Sequence, residues 1–271
     1  MSEEPAHFTA VDGGFMPTRF AQSHWGDDHL NGPAIVGLAA RGLENDCGST
    51  EFRPTRLTVN LFRAARNVLT TLDIRVVREG RRVRSAECDV IQNGHVTARA
   101  TLVQYRPSTA PPGELWTSAA TFPDPPPTDG TLMPYVRSDD AGWTRSPAAH
   151  QNGSRKCFYN DGIRVVAGEA NSPFSRAVMV AEATSLVTNL GSAGVGYING
   201  DLTVALARSP VDEWIGIQAD SHQAADGIAV GTATLFDSVG PFGSAMTTAV
   251  ANAAAQIDFS ATDFRSIINY E

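Results

Sequence analysis

The sequence predicts an α+β protein made of two tandem copies of one unit, each an antiparallel sheet accompanied by one long helix. Three observations carry this expectation. "LTVNLFRAA" from Leu57 and "LTVALARSP" from Leu202 write nearly the same strand 145 positions apart (202 − 57), just over half of the 271 residues. The order of strand and helix patterns around the first copy recurs around the second. Between them, Pro107 to Pro147 hold nine of the sixteen prolines, including "PDPPP" at 123–127. Proline fixes φ and removes an amide donor, so that stretch is neither helix nor central strand. The expected division is a first unit at 1–106, a Pro-rich linker at 107–150 and a second unit at 151–271.

The first unit opens with strand patterns around 8–10 and 17–25. "HLNGPAIVGLAARGLEN" follows. Asn31 or Gly32 is the expected N-cap and Pro33 suits the first helical position. Ala34, Ile35, Leu38 and Leu43 then recur at helical spacing. Four strand patterns come next: "RLTVNLFRA", "LTTLDIRVVREG", "RRVRSAECDVIQNG" and "HVTARATLVQYR". "REGR" and "QNGH" supply turn chemistry, so a four-stranded antiparallel meander is expected.

The second unit repeats the order. "KCFYNDGIRVV" gives strands, and "PFSRAVMVAEATSLVTNLG" one helix closed by Gly191. "INGDLTVALARSP", "EWIGIQADSHQA", "GIAVGTATLFDSVG" and "PFGSAMTTAVA" complete a second meander. Leu61 matches Leu206 and Arg63 matches Arg208 at the same offset, and Gly94 matches Gly240 one residue later.

Composition narrows the function classes. A net charge of −8 gives no reason to expect nucleic acid, and 42% hydrophobic with 18% charged residues is ordinary for a folded chain. Arg56 to Arg106 nevertheless contains ten arginines against four acids. Such a stretch suits a phosphorylated ligand, or a strand face kept in water by long charged side chains. Cys47, Cys88 and Cys157 are too few and too far apart for a disulfide framework or a thiolate metal site. Buried free thiols in a reducing cytoplasm are expected. "MSEEPAHFTA" lacks the apolar core of a signal peptide, and no apolar run reaches the roughly 18 residues of a membrane span.

Chemistry-bearing residues are few. "SHWGDDHLNG" clusters His24, Asp27, Asp28 and His29 before the first helix. These types suit a metal or an acid–base pair, but acids are also favoured at a helix start, and no metal or cofactor is expected. Glu182 interrupts an apolar helix pattern, where an unpaired carboxylate is costly to bury. Asn199 and Asp201 stand in turn vocabulary, "NGD". There is no Gly-x-Ser-x-Gly elbow and no phosphate-binding glycine loop.

The segments "HLNGPAIVGLAARGLE", "RPTRLTVNLFRAA", "REGRRVRSAECDVIQNGHVTARA", "AEATSLVTNLG", "YINGDLTVALARSPVDEWIGI" and "DGIAVGTATLFDSVGPFG" resemble the acyl-CoA thioesterase II (TesB-like) family over most of the chain. The resemblance implies a double hotdog fold, in which each sheet wraps its own helix. It also implies hydrolysis of acyl-CoA by an activated water. The family uses a carboxylate on the second helix, a hydroxyl or amide residue on the next strand and a glutamine on the last strand. Here those positions fall on Glu182, Asn199 and Met246. His29, beside the amides of Asn31 and Gly32, is a candidate for contact with the thioester; Met246 is a further candidate substrate contact, and Asp201 either contacts substrate or orients backbone or an arginine. The resemblance further implies an assembly of two double units.

Methionine donates no hydrogen bond, so the Thr247 hydroxyl is the candidate substitute, with Thr184 and Ser185 near the carboxylate. The same methionine, together with a glutamate where the family usually has aspartate, motivates a second reading, a non-hydrolytic acyl-CoA-binding protein. A hotdog hydratase would need an Asp/His loop motif that "DDH" at 27–29 matches poorly.

Overall fold

A computed structural model describes residues 4–128 and 132–261, so residues 1–3 and 262–271 of the two expected units lie outside the described residues. The first unit contains β1 (Ala6–Val11), β2 (Gly14–Pro17), a 3-10 turn (Arg19–Ala21), α1 (Gly32–Cys47), β3 (Arg53–Leu61), β4 (Thr70–Glu79), β5 (Val83–Gln92) and β6 (His95–Tyr105). Next come β7 (Tyr135–Ser138), β8 (Ala141–Thr144), a 3-10 turn (Pro147–His150), β9 (Lys156–Asn160), β10 (Arg164–Val166), α2 (Pro173–Ala181) and α3 (Thr184–Asn189). The chain continues through β11 (Leu190–Gly191), β12 (Gly194–Val195), β13 (Tyr197–Asn199), β14 (Asp201–Leu206), β15 (Ile215–Ala225), β16 (Ile228–Asp237) and β17 (Gly240–Ala251).

One large sheet runs β10-β1-β2-β4-β5-β6-β3-β14-β17-β16-β15-β9-β7-β8, with β13 also on β17. Read outward from its centre, β3-β6-β5-β4-β2 on one side mirrors β14-β17-β16-β15-β9 on the other. The repeated sequence is the seam. β3 pairs antiparallel with β14, setting Leu57 opposite Val204, Thr58 opposite Thr203 and Val59 opposite Leu202. Thr58 and Thr203 are counterparts in the repeat, and their hydroxyls hydrogen-bond to each other at 3.1 Å, so a local twofold passes between them. Leu57, Val59, Leu202 and Val204 all face the core. Pairing the two copies removes two exposed strand edges at once.

Each arm departs from a simple meander, because β3 lies beside β6 rather than β4, and β14 beside β17 rather than β15. Period-two alternation reports which side chains point inward but not which strand lies alongside. The QNGH turn forms as read: Asn93 and Gly94 both have positive φ (51° and 75°), as a type I′ hairpin turn requires. Residues 17–25 end β2 and make a 3-10 turn instead of a second long strand.

α1 starts at an Asn31 cap, whose Oδ1 accepts from the Ala34 N–H at 2.9 Å, with Pro33 in the first turn. α1 and α2 pack closely where Gly37 meets Met179; a Cβ at position 37 would lie 2.6 Å from Met179 Cγ. A single apolar core spans both units, from Phe8 and Leu38 to Phe242 and Ala245.

The expected second helix is two helices. α2 ends at Ala181, α3 begins at Thr184, and the break is closed by short-range bonds from Glu182 N to Met179 O and from Ala183 N to Val180 O. Gly191 therefore does not close a helix; it lies in β11. The segment 107–150 also differs from a plain linker. Its end forms β7 and β8, and β7 adds to the outer edge of β9. Farther back, the Phe122 ring stacks on Phe236 at 5.3 Å and lies over Gly216, where a Cβ would come within 2.5 Å of it. Prolines dominate only to position 127; Tyr135, Val136 and Trp143 are strand formers that the proline count obscured.

Candidate active site

A cavity of about 800 Å³ opens where the start of α1, the break between α2 and α3, and β13 converge. The chain builds its polar centre from three backbone features. The N-terminal turn of α1 presents amides: Asn31 Oδ1 satisfies Ala34, Pro33 has none, and the Gly32 N–H has no partner among the described residues. The helix break turns Glu182 toward those amides, and a Cβ at position 32 would overlap its carboxylate. Only glycine lets the acid lie against the helix end. β13 then supplies Asn199, whose Nδ2 donates to Glu182 Oε1 at 3.1 Å.

The electrostatics follow from crowding. Glu182 keeps some contact with cavity solvent, but protein surrounds its carboxyl. Burial pushes its pKa up from 4.5 to about 7, and the Asn199 hydrogen bond offsets only part of that. A carboxylate poised near neutrality suits proton abstraction from water. The partnerless Gly32 N–H and the positive end of the α1 dipole suit a developing oxyanion.

The other expected residues are distributed unevenly. Asn31 lines the cavity and also ties the helix start to the preceding turn, donating through Nδ2 to Phe20 O at 3.0 Å. His29 lines the cavity, packed against Gly26. Asp201 is turned away: its carboxylate accepts from the Thr248 N–H at 2.7 Å and from the Thr248 hydroxyl, fixing β17 beside the β13–β14 bend.

The structure does not bring Met246 or Thr247 to the cavity. β17 points Ala245, Thr247 and Ala249 inward, while Met246 is 41% exposed on the other face. The Thr247 hydroxyl is occupied by Asp201 O at 2.9 Å. The residue opposite Asn199 is Ala249, and Val250 and Asn252 are the nearby residues that reach the cavity. Counting along β17 from the sequence stopped short, because the bend between β13 and β14 sets the register. Thr184 is fully buried, whereas Ser185 lines the cavity.

Sequence reasoning missed the cavity's aromatic and C-terminal lining: Trp25, Phe158, Ile257 and Phe259. Of the arginines at 56–106, Arg63 lines the cavity, while Arg75, Arg84, Arg99 and Arg106 form ion pairs with Glu87, Glu79, Asp89 and Glu51. Among the described residues no three His, Cys, Asp or Glu side chains gather as a metal site would need. Nor is any described helix long and apolar enough to cross a membrane.

A mirrored sheet with a helix in each half, and a carboxylate–amide centre where the helices meet, define a double hotdog protein. Comparison supports that class. The structure resembles the TesB protein of Mycobacterium avium subspecies paratuberculosis (TM-score 0.62, 15% identity, 82% of this chain and 87% of that one). It also resembles an acyl-CoA thioesterase II of Mycobacterium marinum (0.57, 16%, 81% and 88%). A hot dog fold protein of unknown function from Alicyclobacillus acidocaldarius is similar over 89% of this chain and 94% of its own (0.63, 13%). At these identities the likeness shows the fold. A search of curated proteins gives no match. The acyl-CoA thioesterase N-terminal domain matches residues 21–105 and the acyl-CoA thioesterase C-terminal domain residues 107–251, so the chain belongs to the acyl-CoA thioesterase family.

Proposed function

We propose that this protein hydrolyses acyl-CoA to a free acid and CoA, with Glu182 as the general base. The carboxylate takes a proton from a water held between it and Asn199. The hydroxide oxygen bonds to the thioester carbonyl carbon, and the carbonyl electrons move onto oxygen beside the Gly32 amide. Collapse breaks the C–S bond, and the proton on Glu182 passes to the departing sulfur. The observation that carries this reading is the Glu182 carboxylate lying against the first turn of α1 while Asn199 donates to it. The non-hydrolytic reading loses one of its two motives, since Met246 faces away from the cavity, and keeps only the longer carboxylate at position 182.

The test is release of free thiol from acyl-CoAs, acetyl to stearoyl. Turnover should rise with pH through a midpoint near 7, where Glu182 ionises. Glu182→Gln should lower kcat by about 10²–10⁴, the usual contribution of a general base, with little change in substrate affinity. Absence of turnover on every chain length would end the proposal. The three buried free cysteines accord with a reducing compartment, so we extend the reading to a cytoplasmic enzyme of fatty acid metabolism. We extend it also to an assembly of two copies, measurable by light scattering.

A further inference from the structure

The chain continues past β17, beyond the matched thioesterase domain, and three of the described residues 252–261 (Asn252, Ile257 and Phe259) line the cavity. This strap is tied down along its length. Asn252 N donates to Gly196 O at 2.8 Å, and Val195 and Ile257 exchange backbone hydrogen bonds at 2.9 Å in both directions. Gly194, at φ 91°, lies so close to the Ile257 carbonyl that a Cβ there would collide with it. Gln151 fastens the far end, accepting from the Phe259 N–H at 2.7 Å and donating to Asp258 at 2.9 Å.

Besides Asn252, the strap brings two apolar side chains, Ile257 and Phe259, to the cavity. Phe259, Val195 and Leu190 form a small buried cluster separate from the main core, with Trp25, Leu186 and Ile257 packed against it. Of these, Phe259, Val195, Trp25, Leu186 and Ile257 also line the cavity, so this cluster is one of its walls. Asn199 also lines the cavity. On one side its neighbour Gly200 accepts from Leu61 N, leading to Phe62 and the exposed Arg63; on the other the chain leads through Gly196 to the strap. The cavity therefore carries an exposed cation, Arg63, and, on separate segments, an apolar wall that includes Ile257 and Phe259.

We propose that the strap is the stop for the acyl chain, with Ile257 and Phe259 as the side chains that set its length. The proposal rests on the thioesterase reading for the identity of the ligand. Leu186, four residues past Glu182, belongs to both the cavity lining and this apolar wall, so the wall begins close to the reaction centre. Acyl-CoAs whose chains end at the strap, short rather than long, are the substrate class.

The experiment compares kcat/KM on butyryl-, octanoyl-, lauroyl- and palmitoyl-CoA for the wild-type protein, Ile257→Ala, Phe259→Ala and Ile257→Trp. The wild-type protein prefers the shorter chains to palmitoyl-CoA. Each alanine variant raises the palmitoyl-to-octanoyl ratio about tenfold or more, the scale of a pocket gaining one or two methylenes, while butyryl turnover stays within about twofold. Ile257→Trp moves the optimum to shorter chains. Ile257 is half-buried on a surface strap, so its truncation leaves the main core intact if Phe259→Ala unfolds.

An unchanged chain-length profile in folded, active variants overturns the strap proposal and leaves the hydrolase reading standing. If the wild-type protein turns over nothing, the hydrolase reading fails instead. Calorimetric affinities for the same acyl-CoAs, measured on Glu182→Gln with and without Ile257→Ala, then decide the strap. A shift toward long chains supports it; identical profiles, or no binding, overturn it.

Discussion

Burial moves the Glu182 carboxyl up to about 7, and the same shift couples this residue to folding. Between pH 4.5 and 7 the folded chain keeps a proton that the unfolded chain has lost, so stability falls as pH rises through that window. Above 7 the folded protein holds a buried carboxylate at full cost. Glu182→Gln should therefore be more stable than wild type at pH 8, by about 1–3 kcal/mol after allowing for cavity water, and should lose that advantage near pH 4. Thermal melts at the two pH values read the difference. Gly32 is the complementary test. Gly32→Ala puts a methyl where the carboxylate rests, so it should displace Glu182 and cut turnover by about 10² or more, although alanine is the better helix former by roughly 1 kcal/mol. The acid at position 182 was legible because a lone carboxylate in an apolar helix pattern needs a reason. Its partner Asn199 was legible only through family resemblance, and Gly32 only as a helix start.

Among elements, the crossing of α1 and α2 positions the site, since α1 brings the amides and α2 the acid. Gly37 permits the approach. Gly37→Ala should cost about 1–3 kcal/mol through overpacking against Met179. Met179→Ala opens the space, so the double variant should be more stable than the two single losses added together, a coupling that denaturant melts would measure. The helix break at 182–183 was not legible. "PFSRAVMVAEATSLVTNLG" keeps helical periodicity throughout, and local propensity cannot report that Glu182 is drawn out of line by a neighbouring helix end. The strands of 135–144 were hidden for a different reason, proline composition averaged over too wide a window.

For the whole molecule, the twofold at Thr58–Thr203 is kept in the sheet and broken in the sites. Where α1 begins, Glu182 faces an open cavity; where α2 begins, Glu44 accepts hydrogen bonds from the Ser172 and Ser175 hydroxyls, and the Arg41–Glu169 ion pair lies nearby. Duplication supplied two helix ends, and only one of them meets a carboxylate beside a cavity. Because one core and one sheet run through both units, the protein should unfold as a single cooperative body. Urea transitions followed by tryptophan fluorescence and by far-UV circular dichroism should coincide; separated transitions would show that the units melt independently.

Periodicity, turn chemistry and the internal repeat belong to the chain itself, and they determined the duplicated α+β plan, the Asn31 cap and the Asn93–Gly94 hairpin. These features depend on neighbours within a few residues, or on likeness between two stretches of one sequence. Tertiary structure decided the rest. It placed β3 against β14, set the β17 register that carries Met246 out and Val250 to the cavity, opened the helix at Glu182 and brought Ile257 and Phe259 into the cavity lining. Each depends on contacts between distant segments, whose close approach is fixed by packing and by backbone hydrogen bonds that no local pattern encodes.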